Sequence, residues 1–143
     1  TRNYKMKKKP NILIVASRYN RTKPLFLSAK NELDKKKINN NLKMVNGAFE
    51  IPVSIARNIN KYDGFIAIGI IIKGETPNFN LISQAITNGI MELSILYKKP
   101  IGNAILTCLN SDQAEQREHK GKEAVEAVLD ILNVGNNRKL IKK

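Results

Sequence analysis

Residues 64–79 read GFIAIGIIIKGETPNF, an apolar run that ends in Lys73-Gly74 and is followed at once by Thr76-Pro77. Threonine is a favoured helix N-cap, and proline is favoured at the first helical position, where its missing N–H costs nothing. The pair predicts a helix start beside Lys73 and Gly74. Unsatisfied N–H groups and the positive end of the helix dipole collect at such a start. That is chemistry for holding an anion, most simply a phosphate.

Phe65 to Ile72 lacks polar alternation and predicts a strand buried on both faces, as in a parallel sheet. The other elements fall around it. Residues 11–16 (NILIVA) predict a strand and Ser17-Arg18-Tyr19-Asn20 a turn. Thr22 and Pro24 then open a helix to about Lys37, with Leu25, Ala29 and Leu33 on its inner face. Leu42 to Val45 is a weaker strand. A turn over 46–50 precedes a helix over 53–59, with Pro52 at its start. Phe79, Ile82, Ile86, Ile90, Leu93 and Tyr97 repeat at helical spacing, so a long helix follows the 73–78 turn. Residues 101–106 predict a fourth strand, and Ser111-Asp112 caps a short helix to about Glu118. Val125, Val128, Leu129 and Leu132 line a last helix closed by Gly135. This order predicts an α/β fold, a four-stranded parallel sheet between two helical layers. Its strand-to-helix turns share the carboxyl edge, where ligands bind. Four turns (17–22, 46–51, 73–78 and 107–111) thus bring together Arg18, Tyr19, Asn20, Phe49, Glu50, Lys73, Thr76 and Asn78.

A chain of 143 residues with a 42% hydrophobic share fits one globular domain. The expected boundaries are a basic segment over 1–10, a domain over 11–135 and a basic tail over 136–143. No apolar run reaches the roughly 18 residues of a membrane span. The basic start is followed by only a short apolar strand, so no signal peptide is expected. Cys108 is the single cysteine, which excludes an internal disulfide and suits a reducing compartment; cytoplasm is the expectation. The net charge of +13 raises nucleic acid as a partner. Against it, aromatics are only 6%, and no helix interleaves arginine with aromatic residues. Much of the charge lies at the two ends, and solvated ends are the favoured reading.

Several segments resemble the lumazine synthase family of riboflavin biosynthesis. They are Ser17-Arg18-Tyr19-Asn20, Gly47-Ala48-Phe49-Glu50-Ile51-Pro52, Ala67-Ile68-Gly69 with Lys73-Gly74-Glu75-Thr76-Pro77, and Pro100-Ile101-Gly102-Asn103-Ala104-Ile105-Leu106-Thr107. Asp112-Gln113-Ala114, Arg117 and Lys120-Gly121 belong with them. The resemblance runs in unbroken order from about Asn11 to Asn133 and implies a flavodoxin-like three-layer sandwich. It also implies a transferase that condenses 5-amino-6-(D-ribitylamino)uracil with 3,4-dihydroxy-2-butanone 4-phosphate. The product is 6,7-dimethyl-8-ribityllumazine, with loss of phosphate and water, and no metal or organic cofactor takes part.

Position by position, the resemblance implies that Tyr19 stacks on the uracil. Ala48, Phe49, Glu50 and Ile51 hold the ribityl chain, and Ile71 and Ile72 border the pyrimidine through backbone groups. Gly74, Glu75 and Thr76 bind the phosphate, clamped by Arg117 and approached by Lys120 from a neighbouring subunit. Asn103 stands where many relatives place an aromatic that leans into the neighbour's site. Asn78 replaces the family's usual histidine, so it cannot titrate near neutral pH. The only histidine, His119, is a candidate substitute. The implied assembly is a homo-oligomer, a pentamer or higher, acting on small molecules. The competing readings are a non-catalytic lumazine or flavin binder on the same scaffold and a nucleic-acid-binding α/β protein.

Overall fold

In the computed structural model, which describes residues 9–74 and 78–134, strands and helices alternate along the chain. They are β1 (Ile12–Ser17), α1 (Lys23–Lys35), β2 (Asn40–Val45), a 3-10 turn (Ala48–Glu50) running into α2 (Ile51–Arg57), β3 (Gly64–Ile72), α3 (Phe79–Tyr97), β4 (Ile101–Cys108), α4 (Ser111–Glu115) and α5 (Lys120–Ile131). The strands form one parallel sheet in the order β2-β1-β3-β4. β1 and β3 are central and buried at every position, as unbroken apolar runs require.

Successive side chains of each strand point to opposite faces and so feed two cores. On one face Ile12, Ile14, Ile66 and Ile68 meet Leu25, Ala29 and Leu33 of α1 and Val125, Val128 and Leu129 of α5. On the other, Leu13, Val15, Phe65 and Ala67 meet Ile51 and Ile55 of α2 and Ile86 and Ile90 of α3. Each fully buried isoleucine contributes about 1.5–3 kcal/mol.

Register decides where the site falls. β1 pairs with β3 only from Ile12↔Gly64 to Ala16↔Ile68. β3 and β4 stay paired as far as Ile72↔Cys108. Gly69 to Ile72 therefore project beyond β1, and the main-chain edge facing β1 has no strand partner there.

Three expectations are corrected. α3 begins at Phe79, two residues beyond Pro77, and Asn78 takes its N-cap position without a side-chain cap bond. α4 is capped by Asn110, whose Oδ1 accepts from Gln113 N–H at 3.0 Å, rather than by Ser111-Asp112. The Asn110 carboxamide reaches back over the first turn, and α4 stops at Glu115, short of Glu118. Tyr97, last of the expected inner stripe, is exposed, and the buried face of α3 is carried by Ile86 and Ile90. The Thr76 cap, Pro77, Glu75, the closing Gly135 and the basic segments at 1–8 and 136–143 lie outside the described residues.

Helices α1 and α5 cross closely at Gly121. A Cβ there would collide with the Leu25 carbonyl oxygen and stand 3.0 Å from the Ala29 nitrogen. Backbone cannot yield as a side-chain tip can, so Gly121→Ala is expected to cost about 1–3 kcal/mol and lower Tm by several degrees. Thermal unfolding followed by circular dichroism measures it; an unchanged Tm contradicts the close crossing.

Candidate functional site

A cavity of about 420 Å³ opens at the carboxyl edge of the sheet, lined by Tyr19, Asn20, Gly47, Ala48, Phe49, Ile70, Ile71, Ile72 and Ile82. It lies where β1 is flanked by β2 on one side and β3 on the other, the switch point at which open α/β sheets bind ligands. The overhang of β3 forms its floor. Tyr19 follows β1, and Phe49 sits on the 3-10 turn after β2. The two rings are 67% and 61% exposed, a large apolar area left open to solvent.

Local chemistry holds these walls. The Gly47 N–H donates to Glu50 Oε1 at 2.9 Å and the Glu50 N–H to Gly47 O at 3.1 Å, a pair of bonds that shapes the Phe49 turn. Ala48 and Ile51 seat on β3 because Gly69 has no side chain; a Cβ there would lie 3.3 Å from each. After β1, the Arg18 N–H donates to Val45 O at 2.9 Å. Thr22 Oγ1 donates to Ser17 O at 2.5 Å.

Of the residues singled out from the sequence, Tyr19, Ala48, Phe49, Ile71 and Ile72 come together in this cavity. Glu50 borders it through its bond to Gly47, while Ile51 is buried in the core beneath. Asn78 lies one turn before Ile82 on α3 and is exposed. Gly74 leaves β3 with φ +95°, a left-handed conformation that suits glycine. Asn103 faces solvent from the edge strand β4, its Oδ1 accepting from the Ile105 N–H at 3.0 Å.

Arg117 stands elsewhere, with its guanidinium beside the Cys108 thiol at the end of β4. Lys120 Nζ is 3.2 Å from Glu123 Oε1, and His119 Nε2 is 3.5 Å from Glu123 Oε2. None of these three lines the cavity of the same chain, and among the described residues no lining residue carries a formal charge. Sequence reasoning gave no role to Gly47, Ile70 or Ile82. Ile70 and Ile82 were marked only by an apolar strand and a helix stripe. Gly47 and Asn20 stood in turn segments that carry the family resemblance, without a task of their own.

A sequence model of the family described as 6,7-dimethyl-8-ribityllumazine synthase matches residues 9–136. A Bartonella tribocorum protein named 6,7-dimethyl-8-ribityllumazine synthase is 35% identical over an alignment covering 93% of this chain and 97% of its own length. One of the same name from Agrobacterium fabrum is 34% identical, covering 88% and 95%. A third, from Campylobacter curvus, is 36% identical, covering 69% and 68%.

Cys108 is 1% exposed. Burial pushes its thiol above the ordinary value, opposed in part by the Arg117 charge and the hydrogen bond that Arg117 offers. A raised pKa leaves less thiolate at neutral pH, and thiolate is the reactive form. Alkylation by iodoacetamide at pH 8 is therefore expected to accelerate on the order of tenfold or more when the protein is unfolded in urea. Equal rates in the native and unfolded protein would show the thiol to be open.

Proposed function

The chain belongs to the 6,7-dimethyl-8-ribityllumazine synthase family, and we propose that it catalyses the condensation of 5-amino-6-(D-ribitylamino)uracil with 3,4-dihydroxy-2-butanone 4-phosphate. The observation that carries this reading is the projecting edge of β3 set between two exposed aromatic rings. A pyrimidine is flat and has hydrogen-bonding groups along its rim. The main-chain groups that β3 presents beyond Ile70 on its unpaired edge, at Ile72, suit the rim, and Tyr19 suits the face. Phe49 supplies the wall along which the ribityl chain runs, with Glu50 Oε2 accepting from its hydroxyls.

In the reaction the substrate amine attacks the ketone and water leaves, giving an imine. Phosphate is then eliminated, and the second nitrogen closes the ring with loss of water. No protein nucleophile is needed; the enzyme holds two reactants in register and stabilises charge where it develops. The phosphate is assigned to Gly74, Glu75 and Thr76, with an arginine whose planar fork meets two of its oxygens.

Arg117 is that arginine in this reading, and it comes from a second copy of the chain, with Lys120 beside it. Two observations support a shared site. Among the described residues no cation lines the cavity, while Arg117 lies beside Cys108 of the same protomer. In addition, α3 carries a second apolar stripe, Leu81, Met91 and Ile95, whose members are 69%, 57% and 68% exposed. Such a stripe, next to the half-open face of β4, calls for a covering surface. Repetition of one heterologous contact closes a ring, here a pentamer, alone or paired. No helix among the described residues is long and apolar enough to cross a membrane. The free Cys108 thiol fits the cytoplasm.

Asn78 sets the rate in this account. It can donate and accept hydrogen bonds but cannot move a proton near neutral pH, and positioned acid–base groups typically contribute ~10²–10⁴-fold. Formation of the lumazine product from the two substrates, followed by absorbance, tests the function; a protein that yields none at any pH overturns it. Asn78→His is expected to raise kcat by about tenfold or more. No gain between about pH 5 and pH 8, the window in which imidazole titrates, would show that the position does not limit turnover.

A further inference from the structure

Two consecutive residues of the turn after β1 are left-handed, Asn20 at φ 67° and Arg21 at φ 55°. Asparagine is among the few non-glycine residues that tolerate this region. Held so, the Asn20 carboxamide crosses to β3, and Nδ2 donates to the Ile70 carbonyl oxygen at 2.8 Å. Ile70 belongs to the overhang, beyond the last β1–β3 pair. The side chain thus replaces the strand that β1 no longer provides.

The turn is thereby tied to both neighbouring strands. Its Arg18 N–H is bonded to Val45 O of β2 at 2.9 Å, and its Asn20 side chain to Ile70 O of β3. Tyr19 lies between the two ties. Its ring is mostly exposed, so packing does not fix it; the backbone on either side does. Asn20 and Ile70 also line a second cavity of about 610 Å³ on the α1 side, floored by Leu25 and Ala114. The amide–carbonyl bridge therefore belongs to the walls of both cavities.

We propose that Asn20 is a positioning residue for the condensation: its bond to Ile70 holds Tyr19 over the open edge of β3 and so sets affinity for the pyrimidine substrate. The inference rests on the reading of Tyr19 as the ring that stacks on that substrate. Asn20→Asp keeps size and backbone preference but turns the donor into an oxygen facing a carbonyl. Asn20→Gly keeps the backbone conformation and removes the bond.

The test measures kcat, both KM values, Tm and fluorescence-detected product affinity for the wild-type protein, both variants, Tyr19→Ala and the double variant Tyr19→Ala with Asn20→Asp. The expected result is a three- to tenfold rise, roughly the worth of one hydrogen bond, in KM for the ribitylaminouracil and in Kd for product. KM for the butanone phosphate stays within about twofold, as it does for groups that touch only the other substrate. Asn20→Asp added to Tyr19→Ala changes pyrimidine affinity by less than about twofold, since coupled residues are not additive. Equal rises in both KM values, multiplicative effects in the double variant, or variants that are merely unstable would each overturn the proposal. A wild-type protein that forms no product instead strikes the parent reading, so the two failures are separable.

Discussion

The mismatch in length between β1 and β3 is the constraint on which the rest of the molecule depends. β1 ends its pairing at Ala16↔Ile68, and β3 runs on to Ile72 with only β4 beside it. A buried main-chain edge without partners is costly, so something must satisfy it. One group, the Ile70 carbonyl, is met by Asn20; beyond it the strand is left to whatever enters the cavity. The same geometry that leaves the sheet incomplete creates a binding edge with fixed, pre-oriented hydrogen-bonding groups. Fixed groups do not reorganise when charge develops, which is the condition for electrostatic catalysis.

The chemistry divides unevenly across this site. The cavity within one chain is apolar, formed by aromatic rings and isoleucines. Positive charge lies at the carboxyl end of β4, where Arg117 meets Cys108, and at the start of α5, where Lys120 faces Glu123. A flat heterocycle needs the first environment and a phosphate needs the second. Their separation within a chain is the physical reason for reading the enzyme as an assembly, with the exposed stripe of α3 as part of the contact.

Much of the fold was legible because two of its strands carry no competing signal. β3 runs over the residues its apolar run marks, Gly64 to Ile72, and Ile86 and Ile90 of α3 face the core as their spacing requires. Boundaries were less legible where side chains compete for the same backbone groups. Asn110 outreaches Ser111 as a cap, and the start of α3 falls at Phe79. At the site, Tyr19 and Phe49 were recognisable as aromatics in edge turns. The Asn20–Ile70 bond spans fifty residues and depends on register, which no local pattern reports. Gly121 entered only as part of a segment that carries the family resemblance, and its role in the α1–α5 crossing appears only once the two helices are placed. Residues completing a site across a subunit contact leave no local pattern at all. Arg117 read alone is one more surface charge, and only the family resemblance gives it a task.

A site divided between two copies makes a quantitative demand on mixed assemblies. Tyr19→Ala disables the half that receives the pyrimidine, and Arg117→Ala disables the half that grips the phosphate. If one site draws on both copies, co-refolding equal amounts of the two variants restores about a quarter of the wild-type sites, because random neighbours in a ring pair an intact Tyr19 with an intact Arg117 that often. Turnover of the mixture near that fraction is the predicted result. Turnover no greater than the mean of the two separate variants, in rings shown to contain both chains, would place the whole site within one chain and contradict the account.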